Sequence, residues 1–358
     1  IDDDASDSAA LDSTIELLVK SNKPLPMAKI LTIPEAWSHR RDFSEKLKKL
    51  YAYATAVMEA WDGPAAICGT HDDWAIAGMD RNGLRPIRYT LTSEYLIAGS
   101  ETGMVILPES EIIEKGRVGP GQMIAINFKE KKFYSDIEIK KYLSEIKPFG
   151  KWTKNITHID KLVKSVDEEL REIDSNDLRK RMSSFDWSME DIELILHPMI
   201  MEQKEATGSM GDDSPLAVLS KKYRGLHHFF RQNFSQVTNP PVDSLRERVV
   251  MSLRTRIGNL SNILDEDEKQ CDHLQLNSPV LSINQFKTMR QYMKDTVKIL
   301  DTTMDLTDEN NSFEKSLMRL NNQAEEAVRE GYVHIILSDK NLSKDRVALP
   351  MILATSSV

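Results

Sequence analysis

The stretch from Val297 to Leu337 reads VKILDTTMDLTDENNSFEKSLMRLNNQAEEAVREGYVHIIL, and it decides the fold class of the C-terminal part of the chain. Val297–Leu300 is a short apolar run typical of a strand. Residues 313–330 have helical spacing after an Asn-Ser pair that can cap a helix, and Gly331 can end that helix. Tyr332–Leu337 is a second apolar run. Because a strand–helix–strand connection is almost always a right-handed crossover, the stretch predicts two parallel strands in an α/β domain.

The first 150 residues predict a mixed α+β structure. Residues 9–20 and 45–61 carry apolar side chains at helical spacing. Short strand-like runs separated by Gly, Asp and Asn turns follow at 65–68, 74–77, 87–90, 95–98 and 123–126. Consecutive short strands at this spacing favour an antiparallel sheet, and helices ahead of strands favour an α+β layer structure.

Residues 151–185 separate the two patterns. The part from Lys161 to Arg181 is dense in charges of both signs, which is typical of a solvated helical connector. We therefore expect one domain at residues 1–150, a charged helical connector at 151–185 and a second domain at 186–358. In the second domain, Ser188 with Asp191 and Ser282 with Gln285 form capping-box patterns that predict helix starts.

Composition limits the class of protein. The chain has 358 residues, of which 40% are hydrophobic and 29% charged, so it can fold into about two domains. Its 47 Lys and Arg against 56 Asp and Glu give a net charge of −9, which argues against a nucleic-acid partner. No apolar run reaches the ~18 residues of a membrane helix, so no membrane partner is expected. The only cysteines, Cys68 and Cys271, provide no disulfide framework, and a cytoplasmic protein is predicted.

The two ends of the sequence suggest a segment of a longer protein. The chain opens Ile1-Asp2-Asp3-Asp4, without an initiator Met or a signal peptide, and stops at Val358 soon after an apolar run. We therefore expect an internal fragment.

Residue patterns that could carry chemistry are weak. Asp2–Asp4 lacks the spacing and the glycine of a calcium loop, so a solvated acidic stretch is favoured. His227 and His228 are adjacent and cannot share a metal ion as an i, i+4 pair on a helix. Cys271 and His273 lie two residues apart, and structural residues are favoured over a catalytic dyad. No metal ligand set and no pair of nucleophile and base is predicted.

Two glycine-rich segments resemble phosphate loops only loosely. In 116–121 (GRVGPG), Pro120 removes a donor amide, so a turn between strands is expected. In 208–213 (GSMGDD), the Gly-Lys-Ser/Thr ending is missing and two carboxylates would repel a phosphate. From its chemistry alone this second segment is a polar loop that could line an interface.

Longer blocks resemble a known family in order along the chain. They are SDSAALD at 6–12, MEAWDGPA at 58–65, DRNGLRP at 80–86, AGSETG at 98–103, GSMGDDSPLAVLS at 208–220, QVTNPPVD at 236–243, AVREG at 327–331 and IILSD at 335–339. The first four resemble the later part of a class II glutamine amidotransferase domain, specifically that of the glutamate synthase family, and the others resemble the central domain of that family. The block at 208–220 is the most specific, and Ala60 departs from the family pattern, which usually has Pro there.

The resemblance implies a fold and a mechanism. The fold is the C-terminal part of an Ntn-type αββα sandwich, followed by an α/β central domain with a parallel sheet. In the family, an N-terminal cysteine, expected upstream of Ile1, attacks glutamine, and the released ammonia travels to a flavin domain that converts 2-oxoglutarate into glutamate. FMN and an iron–sulfur cluster are expected outside this chain, and this segment is expected to bind no cofactor and no metal. The implied partners are glutamine, the downstream flavin synthase domain, and a small electron-donating subunit or ferredoxin.

The resemblance assigns one substrate contact. Asp7 occupies the position of the Asp that binds the glutamine α-ammonium, whereas by its residue type alone it is a candidate helix cap, as are Ser6 and Ser8. No catalytic residue is assigned within the chain. The motif residues Asp80, Arg81, Gly83 and Arg85 are expected to be scaffold. Candidates for the lining of the inter-domain ammonia route are Gly208, Ser209, Met210, Gly211, Asp212 and Asn239.

Two other functions compete with a glutamate synthase segment. One is a non-catalytic scaffold with the same architecture, and the other is a different class II amidotransferase, whose members lack the block at 208–220. The sequence leaves open the electron donor (NADPH, NADH or ferredoxin) and the oligomeric state.

Overall fold

A computed structural model describes residues 5–163, 174–203, 215, 217–221, 225–230, 251–258 and 261–358 of the chain. The chain divides into two compact units, Ile1–Val163 with Thr238–Gln285, and Lys164–Val237 with Phe286–Val358. The division differs from the predicted boundaries at 150 and 185, because residues from the middle of the C-terminal half pack with the N-terminal residues. The domain boundaries themselves stay a prediction.

The first unit contains six helices and ten strands among its described residues. The helices are α1 (Asp7–Lys20), α2 (Leu25–Thr32), α3 (Glu45–Val57), α4 (Asp136–Glu145), α5 (Phe149–Trp152) and α6 (Ile159–Leu162), and 3-10 turns lie at Glu109–Glu111, Thr153–Asn155 and Glu268–Cys271. The strands are β1 (Ala66–His71), β2 (Trp74–Met79), β3 (Ile87–Thr92), β4 (Leu96–Gly99), β5 (Ile112–Val118), β6 (Met123–Asn127), β7 (Lys132–Tyr134), β8 (Thr157–His158), β9 (Thr255–Ile257) and β10 (Leu274–Leu276).

The predicted antiparallel pairing is confirmed. One sheet has the order β1-β2-β6-β7 and another the order β4-β3-β5, and every neighbouring pair in both is antiparallel. A third sheet has the order β8-β10-β9, in which β8 runs parallel to β10. The first half is therefore a mixed α+β structure with several small sheets, as the strand runs predicted.

Side-chain alternation along β2 and β6 builds two core layers. Trp74 and Ile76 of β2 and Met123 of β6 belong to the cluster shared with the helices, including Leu50 of α3 and Ile139 of α4. The residues between them along β2 and β6 pack on residues of β3 and β5. Together they form a second cluster of Ala77, Met79, Ile87, Val118 and Ile124. Because successive strand residues face opposite sides, one strand supplies both layers.

The second helix is shorter than predicted. The spacing predicts a helix over 45–61, but α3 ends at Val57 and Met58 is extended. The backbone N–H of Trp61 donates instead to the carbonyl of Thr32 in α2, at 2.8 Å. This tertiary hydrogen bond holds the residues after α3 in an irregular segment, which helical periodicity does not reveal.

The second unit is described in part. Its helices are α7 (Ser175–Ser184), α8 (Met189–Asp191), α9 (His197–Glu202), α11 (Phe313–Arg329) and α12 (Met351–Ser357), and α10 (Ile283–Met293) spans the division between the units. A π-helical turn covers Ile192–Leu196, and 3-10 turns lie at Leu226–Phe229 and Lys294–Thr296. The strands are β11 (Val297–Asp301), β12 (Thr303–Asp305), β13 (His334–Ser338) and β14 (Arg346–Ala348).

The predicted strand–helix–strand unit is confirmed, with one shift. β11 and β13 pair in parallel over five residues, from Val297 opposite His334 onward. The second strand begins at His334 rather than Tyr332, because the Tyr332 N–H donates to the carbonyl of Ala327 and the Gly331 N–H to that of Val328. These two bonds form a Schellman motif that ends α11 before the strand can start.

The capping boxes are confirmed, and the connector differs from its prediction. Ser188 with Asp191, and Ser282 with Gln285, exchange the reciprocal hydrogen bonds of that motif. In the predicted connector, α7 has no buried residue, but Trp152 and Ile159 are buried in the first unit. The early connector is therefore core rather than solvated helix.

Candidate functional site

Asp7 is the first residue of α1 and is exposed. The helix is capped by Ser6, whose Oγ accepts a hydrogen bond from the Ala9 N–H at 3.4 Å. The alternative that Asp7 is the cap is therefore wrong. No hydrogen bond or ion pair engages the Asp7 carboxylate among the described residues. A carboxylate in the first helical turn is stabilised by the helix dipole and is left available for a cation.

The ammonia-route candidates cannot be placed. Gly208, Ser209, Met210, Gly211, Asp212 and Asn239 lie outside the described residues, as does Asp2–Asp4. Of the histidine pair, His228 contacts the carboxylate of Asp186 through Nε2 at 2.8 Å. Within the described ranges, no group of three or more His, Cys, Asp or Glu side chains could hold a metal ion.

Asp80 organises the turn after β2, in agreement with its predicted scaffold role. Its side chain is buried and accepts hydrogen bonds from four backbone N–H groups, those of Ala65, Asn82, Gly83 and Leu84, at 2.7 to 3.3 Å. Gly83 has a φ of +68°, and a Cβ there would lie 2.6 Å from Cγ of Pro120. The 80–86 motif therefore encodes a rigid turn, whose Arg81 lines a cavity.

The predicted turn between strands covers only the last three residues of the glycine-rich segment 116–121, because its first three belong to β5. It leads from β5 into β6, and Gln122 Oε1 accepts a hydrogen bond from the Gly119 N–H at 2.8 Å. The Gly121 N–H donates to the carbonyl of Asp80 at 2.8 Å. The two turns therefore support each other and leave this Gly121 amide unavailable to a phosphate.

A buried ion cluster that the sequence did not predict lies close to these turns. Lys140 Nζ of α4 contacts the carboxylate of Glu35 and lies 2.7 Å from Oδ1 of Asp136. Arg40 Nη1 donates to Glu35 Oε1 at 2.6 Å from the other side. The side chains of Lys140 and Glu35 are only 3% and 5% exposed. Glu35 follows a Pro and looks like an ordinary loop acid, and Lys140 lies next to Lys141 in a helix that also contains Asp136 and Glu138, so neither residue stands out in the sequence.

Lys29 of α2 is a second buried cation in this region. Its Nζ donates to the carbonyl of Gly121 at 2.8 Å and to that of Ile33 at 3.3 Å. Burial, with a smaller contribution from the charge of Lys140, lowers the pKa of Lys29 to about 7. Lys29 thereby fixes the turn before β6 to the end of α2.

The cysteines are poor nucleophiles in this structure. Burial raises the pKa of Cys271 to about 12, with Arg256 opposing the shift. Burial together with Arg256 lowers the pKa of His273 to about 4. A thiol that resists deprotonation beside an imidazole that resists protonation cannot form a thiolate–imidazolium pair. Partial burial also raises the pKa of Cys68.

The chain is similar to two families in succession. Residues 1–152 match the glutamine amidotransferases class-II, and residues 180–358 match the glutamate synthase central domain. The first match defines the class of the N-terminal half, whose fold is the Ntn type. The second covers half of the chain, and the chain belongs to the glutamate synthase family.

Curated relatives agree with this family. The chain is 52% identical to the glutamate synthase [NADPH] large chain of Azospirillum brasilense, over 99% of this chain and 24% of that protein. It is 37% identical to the ferredoxin-dependent glutamate synthase of Oryza sativa subsp. japonica, named chloroplastic, over 100% of this chain and 22% of that protein. The chain is 35% identical to the glutamate synthase [NADPH] large chain of Bacillus subtilis, over 99% of this chain and 23% of that protein. The chain thus spans about a quarter of the length of these relatives.

Proposed function

We propose that this chain is the segment of a glutamate synthase that supplies part of the glutaminase site and part of the inter-domain ammonia route. The observation that carries the proposal is the exposed Asp7 carboxylate at the start of α1. Ser6 caps this helix, so the Asp7 side chain is not needed as the cap. A fixed carboxylate suits the α-ammonium of glutamine, because charge-assisted hydrogen bonds are short and strong. Two sheets stacked on a helical layer support placing residues 1–150 in an αββα sandwich.

The segment by itself is proposed to lack glutaminase activity. In the parent enzyme the nucleophile is a cysteine upstream of Ile1, and the pKa of Cys271 makes that residue a poor substitute. Glutamine hydrolysis by this chain that disappears in Cys68→Ser or Cys271→Ser would contradict the proposal.

The remaining parts of the reaction are assigned to other regions of the parent enzyme. An iron–sulfur cluster needs about four cysteine ligands, and this chain has two cysteines, so its residues do not fit that group. FMN is likewise assigned to the downstream synthase domain, and electrons to a small subunit or ferredoxin. The loop Gly208–Asp212 and Asn239 are proposed to line the ammonia route towards that domain.

The location is proposed to be cytoplasmic, although the Oryza sativa relative is named chloroplastic. No helix in the described part of the chain is long and apolar enough to cross a membrane.

A scaffold without catalysis is the second candidate function. The match of residues 180–358 to the glutamate synthase central domain disfavours a different class II amidotransferase but not such a scaffold. Sequencing the gene upstream of Ile1 separates the two. A cysteine at the mature N-terminus, followed by an Asn-Gly oxyanion pair, supports the enzyme, and their absence supports the scaffold.

The direct test is Asp7→Asn in the full-length enzyme, with Asp12→Asn as the matched control on an exposed position of α1. Loss of one hydrogen bond to a charged group should lower glutamine-dependent kcat/KM by about 10- to 150-fold. Ammonia-dependent glutamate synthesis should change little, because it bypasses the glutaminase site. Unchanged glutamine kinetics in Asp7→Asn would remove the assigned contact.

A further inference from the structure

A cavity of about 500 Å³ lies within the first unit. One wall is the segment Pro34–Ser38 and the other is the end of α3 with the residues after it, 55–60. Residues 251–256, which lead into and begin β9, form a third wall. Three arginines line this cavity, Arg81, Arg254 and Arg256.

The arginines are incompletely paired. Arg81 contacts Asp62 through Nη2 at 3.3 Å, while its Nε is buried without a hydrogen-bond partner in the described structure. The guanidinium of Arg254 lies over the ring of Trp37, 5.7 Å from its centroid. Neither Arg254 nor Arg256 has a side-chain ion pair among the described residues. Guanidinium N–H groups are therefore available as hydrogen-bond donors at the cavity surface.

The acids of the cavity do not neutralise these charges. The carboxylate of Glu35 is already held by Lys140 and Arg40, outside the cavity lining. Glu59 is exposed. Its negative charge raises the pKa of Arg256, but burial has the larger effect and the pKa is lowered overall. The cavity thus keeps an excess of positive charge next to apolar wall residues.

We propose that this cavity binds a small organic carboxylate, with its carboxylate on the arginines and its hydrocarbon part against Trp37 and Met58. Guanidinium groups bind carboxylates through two parallel hydrogen bonds, which a lysine cannot reproduce. The apolar walls favour an organic acid over inorganic phosphate, because a ligand cavity of this kind buries carbon surface.

The ligand would touch both parts of the chain that match known families. Trp37 and Arg81 belong to the amidotransferase match, and Arg254 and Arg256 to the central-domain match. Binding would therefore stabilise the packing of these two parts on each other within the first unit. This inference does not depend on the glutaminase role of Asp7.

The test is to titrate the full 358-residue chain with butyrate, with its neutral isostere butyramide and with inorganic phosphate. Binding of the two organic ligands is measured by saturation-transfer NMR, and binding of phosphate by its competition with butyrate. Butyrate should bind at least about 10-fold more tightly than butyramide, since only the acid carries the charge. Arg254→Gln and Arg256→Gln should each weaken butyrate binding by about 10- to 150-fold. Arg117→Gln, at an exposed position of β5, should leave it unchanged.

Three results would overturn the proposal: equal binding of butyramide, tighter binding of phosphate than of butyrate, or equal weakening by Arg117→Gln. A second measurement needs no variant and so is immune to misfolding. Butyrate should slow the modification of Arg254 and Arg256 by phenylglyoxal in peptide mapping, while Arg117 reacts at an unchanged rate. Unprotected Arg254 and Arg256 would contradict the assignment.

Discussion

Replacing Lys140 by Met should destabilise the first unit strongly, because it removes one cation from the buried ion cluster. The Lys140 side chain is 3% exposed and that of Glu35 is 5% exposed. Methionine keeps the aliphatic stem that packs in α4 and deletes only the charge. Asp136 would lose the ammonium that lies 2.7 Å from its Oδ1.

The magnitude follows from which partners remain. Breaking a buried ion pair by removing one partner costs about 3–5 kcal/mol, since the other charge stays buried. Glu35 keeps Arg40, which is 41% exposed, so the loss belongs at the lower end, about 3 kcal/mol. For a unit of this size that corresponds to a decrease in Tm of roughly 6–12 °C.

Urea unfolding followed by tryptophan fluorescence measures this loss, because Trp74 and Trp152 are buried in the first unit. Lys141→Met is the matched control, one residue along α4 and exposed, and it should change the free energy of unfolding by less than about 0.5 kcal/mol. The double variant Glu35→Gln with Lys140→Met should lose less than the sum of the two single losses. A Lys140→Met variant as stable as Lys141→Met would refute the role of the cluster.

Three further predictions concern the same unit. Because the pKa of Lys29 is lowered to about 7 in the folded protein, the unfolded chain binds one more proton than the folded chain above about pH 7. The free energy of unfolding should therefore rise between pH 7 and pH 10, by up to about 1.4 kcal/mol per pH unit. Urea titrations should show this rise in the wild type and not in Lys29→Met. Gly83→Ala should cost more stability than Gly103→Ala in thermal melts, since both have positive φ but a Cβ meets other atoms only at Gly83. Ser6→Ala should lower stability by about 1 kcal/mol by circular dichroism, whereas Asp7→Asn, which keeps the cap, should not.

Local signals predicted the elements whose structure is set by neighbouring residues. The parallel pair β11 and β13 followed from apolar runs around an amphipathic helix, and the helix start at Ser188 followed from its capping box. The antiparallel strands followed from short runs between turn residues. In each case the signals that predict the element, its apolar spacing and its capping or turn residues, lie within or beside the element itself, so a single sequence contains them even where the paired strands are separated by a helix.

Long-range contacts account for what the sequence did not reveal. The contact between Glu35 and Lys140 joins residues 105 apart, and nothing in either neighbourhood points to the other. The N–H of Trp61 ends a helical pattern by donating to Thr32, far from it along the chain. Likewise, no motif marks Arg254 and Arg256, because the cavity they line exists only once three distant segments have packed.

The cavity wall is connected to the ion cluster through the segment after α2. Glu35 is held by Lys140 and Arg40 on one side, while its neighbour Trp37 lies beneath the guanidinium of Arg254 on the other. We expect the position of the Trp37 wall to depend on the intact ion cluster, because removal of the Lys140 cation leaves the buried Glu35 carboxylate with Arg40 alone. Lys140→Met should consequently weaken butyrate binding although Lys140 does not line the cavity, and Lys141→Met should not. Unaltered binding in a folded Lys140→Met protein would show that the cavity wall is fixed by its apolar contacts alone.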